Sequence, residues 1–272
     1  MCEVLNIKRN VYNYWLRTKE ERVKRQKKEN ELLEEIKAEH KKGKEIFGAK
    51  KIYRRLSKRK VECSYYKVLK LKKVNGIYSK TRKKFKATTN SNHNLPVAEN
   101  LLNQDFSVDK ANEVWVSDIT YVDTEEGWLF LATVLDLFHK QPVGYSMDST
   151  MPKELVITAM QKAIKKKRPG EGLICHSDRG SQYASHDYQR LLKGNGFCCS
   201  MSRKGNCYDN ACAESFFASL KKEWLHGRRF KTREEAKQAI FEYIESFYIR
   251  ERPHESLGYL TPLEFEKMFA SA

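Results

Sequence analysis

Of the 35 acidic residues in the chain, position in the element pattern selects three, and at the first, Asp118, a charge is costly unless it is paired or binds a cation. Asp118 lies inside VWVSDITY, a stretch that should be buried in a strand. Asp178 follows the apolar residues Leu173, Ile174 and Cys175 in LICHSDRGSQY, at the exit of another strand. Glu214 lies one turn into the helix carried by CYDNACAESFF. Ligand sites in layered α/β folds form outside the carboxyl ends of adjacent strands, so two strands and a neighbouring helix can gather these oxygens at one edge of a sheet. Hard divalent cations prefer carboxylate oxygen. Two such ions about 3.5–4 Å apart activate an attacking oxygen and stabilise a departing one in phosphodiester cleavage. The expected metal ligands and catalytic residues are therefore Asp118, Asp178 and Glu214. The expected cofactor is Mg²⁺, two ions, with Mn²⁺ as a substitute.

Lys221 lies seven residues after Glu214 and so on the same side of a helix, about 10.5 Å further along its axis. There it could hold a DNA end near the metals. Lys222 stands beside it, and the spacing leaves ordinary surface charge equally open. Arg203 and Lys204, on the glycine-containing loop before the helix, are candidate DNA contacts, with a solvated loop as the alternative. Asp136 is read as supporting or structural, His176 as a hydrogen-bonded strand-end histidine, and Asp209 as a helix cap. His254 in RPHES is open between phosphate binding and packing.

The elements that must position these groups follow from hydrophobic spacing. Residues 114–123 and 128–135 read as strands joined by a hairpin turn at Glu125–Gly127, and 143–147 as a third strand. Pro152 to Lys167 is an amphipathic helix with Pro152 in its first turn. A short strand at 173–175, a helix at 187–193 and a strand at 197–201 lead to one long helix from Asp209 to Trp224. Three strands, then helix, strand, helix, strand and helix make an α/β layered domain. Residues 232–248 form a further helix opened by a Thr232/Glu235 capping box, and Thr261 with Glu264 opens a last one. Ahead of this domain, residues 1–25 read as two short helical pieces broken near Asn10. Helices follow at 28–40, 45–58 and 64–73, the last capped by Ser64, and suit a helix-turn-helix arrangement. The polar stretch 86–108 reads as linker.

Charge separates the same two regions. The chain has 272 residues and a net charge of +17. Residues 1–90 hold 29 Lys and Arg against 10 Asp and Glu, and the remainder holds 23 against 25. All of the basic excess therefore lies in the first third, which favours a polyanionic partner, nucleic acid ahead of an anionic membrane surface. Seven cysteines without a C-x-x-C pair argue against structural zinc and a disulfide framework. No leading apolar run suggests a signal peptide, and Trp128 to Leu137 is too short to span a bilayer. A cytoplasmic, nucleoid-associated protein with no membrane partner is expected.

The strings WVSDITYV, VLDLFHKQPVGY, HSDRGSQY, CYDNACAESFFASLKKE and YIRERPHESLGYLTP resemble the OrfB-type transposases of the insertion-sequence three family and, more distantly, retroviral integrases. The resemblance covers most of the chain. Thirty-five residues separate Asp178 from Glu214, as in that family, and Lys221 matches its lysine or arginine seven residues beyond the glutamate. Glu31 to Val74 resembles the helix-turn-helix-like segment preceding the family's core. One departure is visible: Tyr248 is followed by Ile249, where the family usually has asparagine.

The resemblance implies a ribonuclease-H-like mixed sheet flanked by helices, Mg²⁺ dependence and concerted strand transfer of an insertion sequence. It also implies frameshift fusion to an upstream-frame helix-turn-helix protein. The expected organisation is a basic helical DNA-binding region at 1–85, a linker at 86–108, a catalytic core at 109–226 and a helical extension at 227–272. The expected partners are DNA, both element ends and target, and further copies of the chain on DNA. Two alternatives remain at this level. Another ribonuclease-H-like nuclease would cut without joining, and a DNA-binding regulator with an inactive core would not nick DNA at all.

Overall fold

The computed structural model describes residues 2, 7–79, 95–203 and 207–270. The chain divides into two compact units, Met1–Lys80 and Thr81–Ala272.

The first unit is helical: α1 (Arg9–Arg17), α2 (Lys19–Lys42), α3 (Ala49–Lys58) and α4 (Tyr65–Val74). The break in the first stretch falls at Thr18 and not at Asn10, because the Asn10 carboxamide bonds locally to Val11 N–H and the helix runs on through it. Leu32 and Ile36 of α2, Ile52 and Leu56 of α3, Val68 of α4 and Phe47 between helices form the buried core. Ser64 caps α4 as its sequence position predicts, its hydroxyl accepting from Lys67 N–H. Glu39 is buried on α2 and is held by Arg55 at 2.6 Å and Arg59 at 3.0 Å. An ionised group can remain inside such a small core when its charge is met in this way.

The second unit is built on a five-stranded sheet. Its strands are β1 (Val114–Val122), β2 (Leu129–Asp136), β3 (Gln141–Asp148), β4 (Ile174–Ser177) and β5 (Cys198–Met201), in the order β3-β2-β1-β4-β5. β1, β2 and β3 pair antiparallel, and β4 and β5 join parallel to β1 and to each other. Helix α5 (Lys153–Lys167) connects β3 to β4, and α6 (His186–Gly194) connects β4 to β5. An antiparallel meander continued by parallel strands through helical crossovers is the ribonuclease-H-like arrangement. Helix α5 lies against β3 at unusually short range: a Cβ on Gly144 would stand 2.3 Å from the Ala159 carbonyl oxygen. Only glycine allows that approach.

Asp136 ends β2, fully buried, opposite Trp115 in the β1 register. Its oxygens accept from the backbone N–H groups of Asn112, Phe138 and His139 and from the Trp115 indole. Burial alone would raise its carboxyl. The side-chain contact with His139 and the N–H groups of Asn112 and His139 hold it below the usual range. Asp136 thus fastens the β2–β3 turn, in keeping with its structural reading.

The predicted linker differs from what its described residues show. Residues 95–105 are fastened to the sheet: Leu95 and Ala98 pack on its core, Leu102 is buried, Leu101 N–H donates to Ser200 Oγ, and Met201 N–H donates to the Glu99 carbonyl. Their polar composition conceals a path along the outer strand, where backbone groups need partners.

Past β5, a short 3-10 turn (Cys207–Asn210) leads into α7 (Ala211–Leu220), which continues as a π-helical turn at Lys221–Leu225. α8 (Arg233–Phe241) likewise runs into a π-helical segment, Glu242–Tyr248, before α9 (Pro262–Ala270). Each was expected to end a single uniform helix. The two π-helical segments pack on each other through Trp224 against Tyr243 and Phe247, at 5.6 and 5.1 Å between ring centres. The Thr261/Glu264 capping box is reciprocal as predicted. At Thr232 the hydroxyl accepts from Glu235 N–H, whereas the Glu235 carboxylate turns back to Lys231 N–H.

Candidate active site

The parallel register sets Val116 of β1 beside His176 of β4. Two residues further on stand Asp118, within β1, and Asp178, one residue past the end of β4; extending the strand alternation puts both on the sheet face of those partners. Neighbouring strands lie about 4.8 Å apart, so the two carboxylates are close by construction. Asp118 Oδ1 accepts from Ile119 N–H at 2.8 Å, and Asp178 Oδ1 accepts from Gly180 N–H at 2.9 Å. A Cβ on Gly180 would come within 3.0 Å of that Asp178 oxygen, so glycine leaves room for the carboxylate to turn back on its own loop.

Glu214 is exposed in the first turn of α7. The packing of α7 near β1 includes a bond from Asn210 Nδ2 to the Ser117 carbonyl, one residue before Asp118, at 3.3 Å. The electrostatics place all these groups in one neighbourhood. Burial holds the Asp118 carboxyl well above its usual range. The charge of Asp178 adds to this, Glu214 adds less, and Lys221 opposes it. Burial also raises Glu214. It lowers Lys221, against the pull of Asp118. The Lys221 ammonium stands 4.8 Å from the centre of the Tyr121 ring on β1.

The structure thus brings Asp118 and Asp178 together, with Glu214 and Lys221 within electrostatic reach of Asp118. Among the described residues, no three His, Cys, Asp or Glu side chains are grouped closely enough to hold one metal ion. The donor set nevertheless suits a hard divalent cation. Two carboxylates on neighbouring strands raise each other's cost of ionisation, and a cation between them removes it.

This has a measurable consequence. A carboxyl whose folded-state pKa is raised stabilises the fold fully below its unfolded pKa, and that contribution is lost as pH rises through the folded value. In the metal-free protein, ionising Asp118 therefore costs stability as pH rises. Asp118→Asn is expected to raise the thermal midpoint at pH 7.5 in a chelating buffer, with the gain shrinking toward pH 4. An unchanged or lower midpoint at pH 7.5 in differential scanning calorimetry would contradict this electrostatic account.

The other candidates divide clearly. His176 is wholly buried, with Nδ1 2.8 Å from Ser200 Oγ and Nε2 3.2 Å from Ser202 Oγ. Burial pushes it down to about 4, so it is a neutral strand-end histidine that ties β4 to β5. Asp209 does not cap α7. It is fully buried and accepts from the Arg203 backbone N–H, the Arg203 guanidinium and the Gln104 amide. The Arg203 side chain, against the effect of burial, holds the Asp209 carboxyl well below the usual range. Arg203, expected at DNA, is engaged by this clasp, while Lys204 lies outside the described residues. His254 is buried, packs edge-on against Tyr248 at 4.6 Å and lies 3.3 Å from Arg252 Nη1. These contacts are those of a packing residue.

Asn210 and Gln104 have no signal as site residues in the sequence, since both act through long-range contacts. The π-helical turn that carries Lys221 is held in a similar way. Glu223 receives both Arg252 Nε and Arg252 Nη2 at 2.7 Å, and the Tyr243 hydroxyl at 3.2 Å.

Comparison with known proteins agrees with this architecture. Two family models described as "Integrase core domain" match residues 108–207 and 195–262, and one described as "HTH-like domain" matches 27–85. The chain is 44% identical to the insertion element IS600 uncharacterized 31 kDa protein of Shigella sonnei, over 99% of this chain and 98% of that one. It is 39% identical to transposase InsF for insertion sequence IS3A of Escherichia coli (strain K12), over 98% of this chain and 92% of that one. Among solved structures, a chain of the simian T-cell lymphotropic virus intasome, in complex with PP2A regulatory subunit B56 gamma, superposes with a TM-score of 0.47 at 15% identity. That match covers 75% of this chain and 66% of the other. With relatives of that identity along nearly its whole length, and an integrase core built on the sheet that carries Asp118 and Asp178, the chain belongs to the insertion-sequence three family of transposases and is a DNA transposase, a polynucleotidyl transferase.

Proposed function

We propose that this transposase cuts the ends of its insertion sequence and joins them to DNA at a site formed by Asp118, Asp178 and Glu214, with two Mg²⁺ ions as cofactor. The observation that supports this most directly is the coupling of Asp118, on β1, with Asp178, just past the end of the neighbouring parallel strand β4, with the charges of Glu214 and Lys221 also felt at Asp118. When bound, the metal ions would supply Lewis-acid activation of the attacking oxygen and charge neutralisation at the leaving oxygen.

The residues of the chain do the rest. Ile119 N–H and Gly180 N–H orient the two aspartates, each donating to one carboxylate oxygen. The Asn210 amide fastens the start of α7 to β1, so that Glu214 approaches from the helix side. Lys221 offers a cation to the phosphate next to the one being cut, and its partly desolvated setting strengthens that attraction. No covalent bond between DNA and protein is required, since positioning and charge suffice for phosphoryl transfer. The strongly basic first unit holds further DNA through its phosphates. We further propose that the chain works as a homo-oligomer on paired DNA ends, in fusion with an upstream-frame helix-turn-helix protein, within the bacterial cytoplasm. Among the described residues, no helix is long and apolar enough to cross a membrane.

The test uses purified protein and DNA bearing the element's terminal repeat. Cleaved ends and joined products should form with Mg²⁺, disappear with a chelator and return when Mg²⁺ is restored. Cutting without joined products would favour a nuclease instead, and the absence of any metal-dependent nick would favour a regulator.

A further inference from the structure

The hairpin joining β1 to β2 lies next to the candidate active site and presents a surface that the catalytic reading leaves unused. Trp128, where the turn meets β2, is 49% exposed. Its ring meets Tyr121 at 4.8 Å and 83°. Beside this edge-to-face contact about half of the Trp128 surface stays accessible. Tyr121 in turn lies under Lys221, whose charge acts on Asp118. A continuous path of contacts therefore runs from the carboxylates through Lys221 and Tyr121 to Trp128.

The basic loop that follows the catalytic helix is stapled to the same hairpin. Glu125 N–H donates to the Phe230 carbonyl, Arg233 Nε donates to the Trp128 carbonyl, and Arg233 N–H donates to Glu126. This ties the segment that carries exposed Arg229 and Lys231 to the hairpin, while Arg228 lies over Trp224. Asp123, Glu125 and Glu126 are the opposing charges on the hairpin, and Glu126 is engaged by Arg233 N–H. A half-exposed aromatic ring with cations on the adjoining loop is the chemistry that recognises unstacked nucleotides. The base stacks on the ring, and the backbone phosphates meet the cations.

We propose that the β1–β2 hairpin is a subsite for an unpaired nucleotide at the DNA end, whose base stacks on Trp128 while Arg229 and Lys231 hold its phosphates. This rests on the transposase reading and adds to it a separate recognition of melted ends. A duplex that frays at its terminus has a base available to fill this subsite, whereas interior DNA has none.

The test uses the full chain without added metal and a DNA end mismatched at its last pair, with 2-aminopurine as the terminal base. Wild-type protein should quench the probe on binding. Trp128→Ala should abolish the quench and weaken binding of the frayed end about 5- to 100-fold, with binding of fully paired interior duplex within about twofold. Trp128→Phe should restore both. The double variant Arg229→Ala/Lys231→Ala, whose side chains are exposed, serves if Trp128→Ala does not fold. It should flatten the dependence of log affinity on log salt by about 1.5. Full quenching and unchanged affinity in Trp128→Ala, equal losses on frayed and interior DNA, or an unaltered salt slope in the double variant would overturn the proposal. So would a change confined to self-association of the protein. None of these readouts requires cleavage, so failure of the subsite and failure of the catalytic reading register separately.

Discussion

Asp178→Asn is expected to lower the rate of Mg²⁺-dependent DNA cleavage about 10³-fold or more while leaving DNA binding nearly intact. The estimate follows from the several kcal/mol of transition-state stabilisation that a bound metal supplies, at tenfold in rate for each 1.36 kcal/mol. The substitution keeps the volume and the acceptor oxygen that Gly180 N–H uses, so the loop after β4 should survive and only the charge is lost. Asp118→Asn and Glu214→Gln should act in the same direction. Single-turnover cleavage measured beside gel-shift binding separates the chemical step from DNA capture. A variant retaining more than a tenth of wild-type cleavage would remove Asp178 from the proposed ligand set.

The second large effect concerns stability. Arg252 and Glu223 form a buried bidentate pair between the first π-helical segment and the turn that follows the second, with side chains only 12% and 9% exposed. Burial disfavours the Arg252 charge, but the Glu223 carboxylate more than offsets this and holds the guanidinium above its ordinary value. Arg252→Ala leaves Glu223 buried without its counter-charge, which costs about 3–5 kcal/mol. Lysine cannot reproduce two parallel hydrogen bonds and should recover only part of the loss. Replacing both partners, Arg252→Met with Glu223→Leu, is expected to regain most of it, since no buried charge is then stranded. Urea unfolding of the full chain, followed through the tryptophans of the second unit, is the measurement. If Arg252→Ala were as stable as wild type, the pair would be a bystander. The Glu223 turn begins at Lys221, so the destabilised variant should also lose part of its cleavage activity.

How far the sequence foretells the molecule depends on the range of the interactions. Ser64, Thr232, Thr261 and Glu264 act within one helical turn, and their caps are visible in the order of residues. The alternating pattern around Asp118 and the apolar run ahead of Asp178 mark them as strand positions, and parallel pairing then sets them side by side. The same local logic misjudges Asp209, an acceptable cap by type, because Arg203 and Gln104 claim its oxygens from outside the helix. It misses the π-helical segments, which carry no breaker in their sequence and pack on each other through Trp224, Tyr243 and Phe247. It reads residues 95–105 as a tether because their polarity is that of a loop, although their backbone serves β5. For Glu214, helical spacing gives the face of α7. The distance of that face from the aspartates is set by the seating of α7 on the sheet, where Asn210 contributes.

The path of residues 95–105 along β5 has a practical consequence. An outermost strand with unpaired amides is a template for the same strand of another molecule, and Glu99 occupies the amide of Met201 at the end of β5. A catalytic fragment trimmed to begin after residue 105 would free that amide and widen the edge open to another copy, whereas one beginning at Leu95 would keep it occupied.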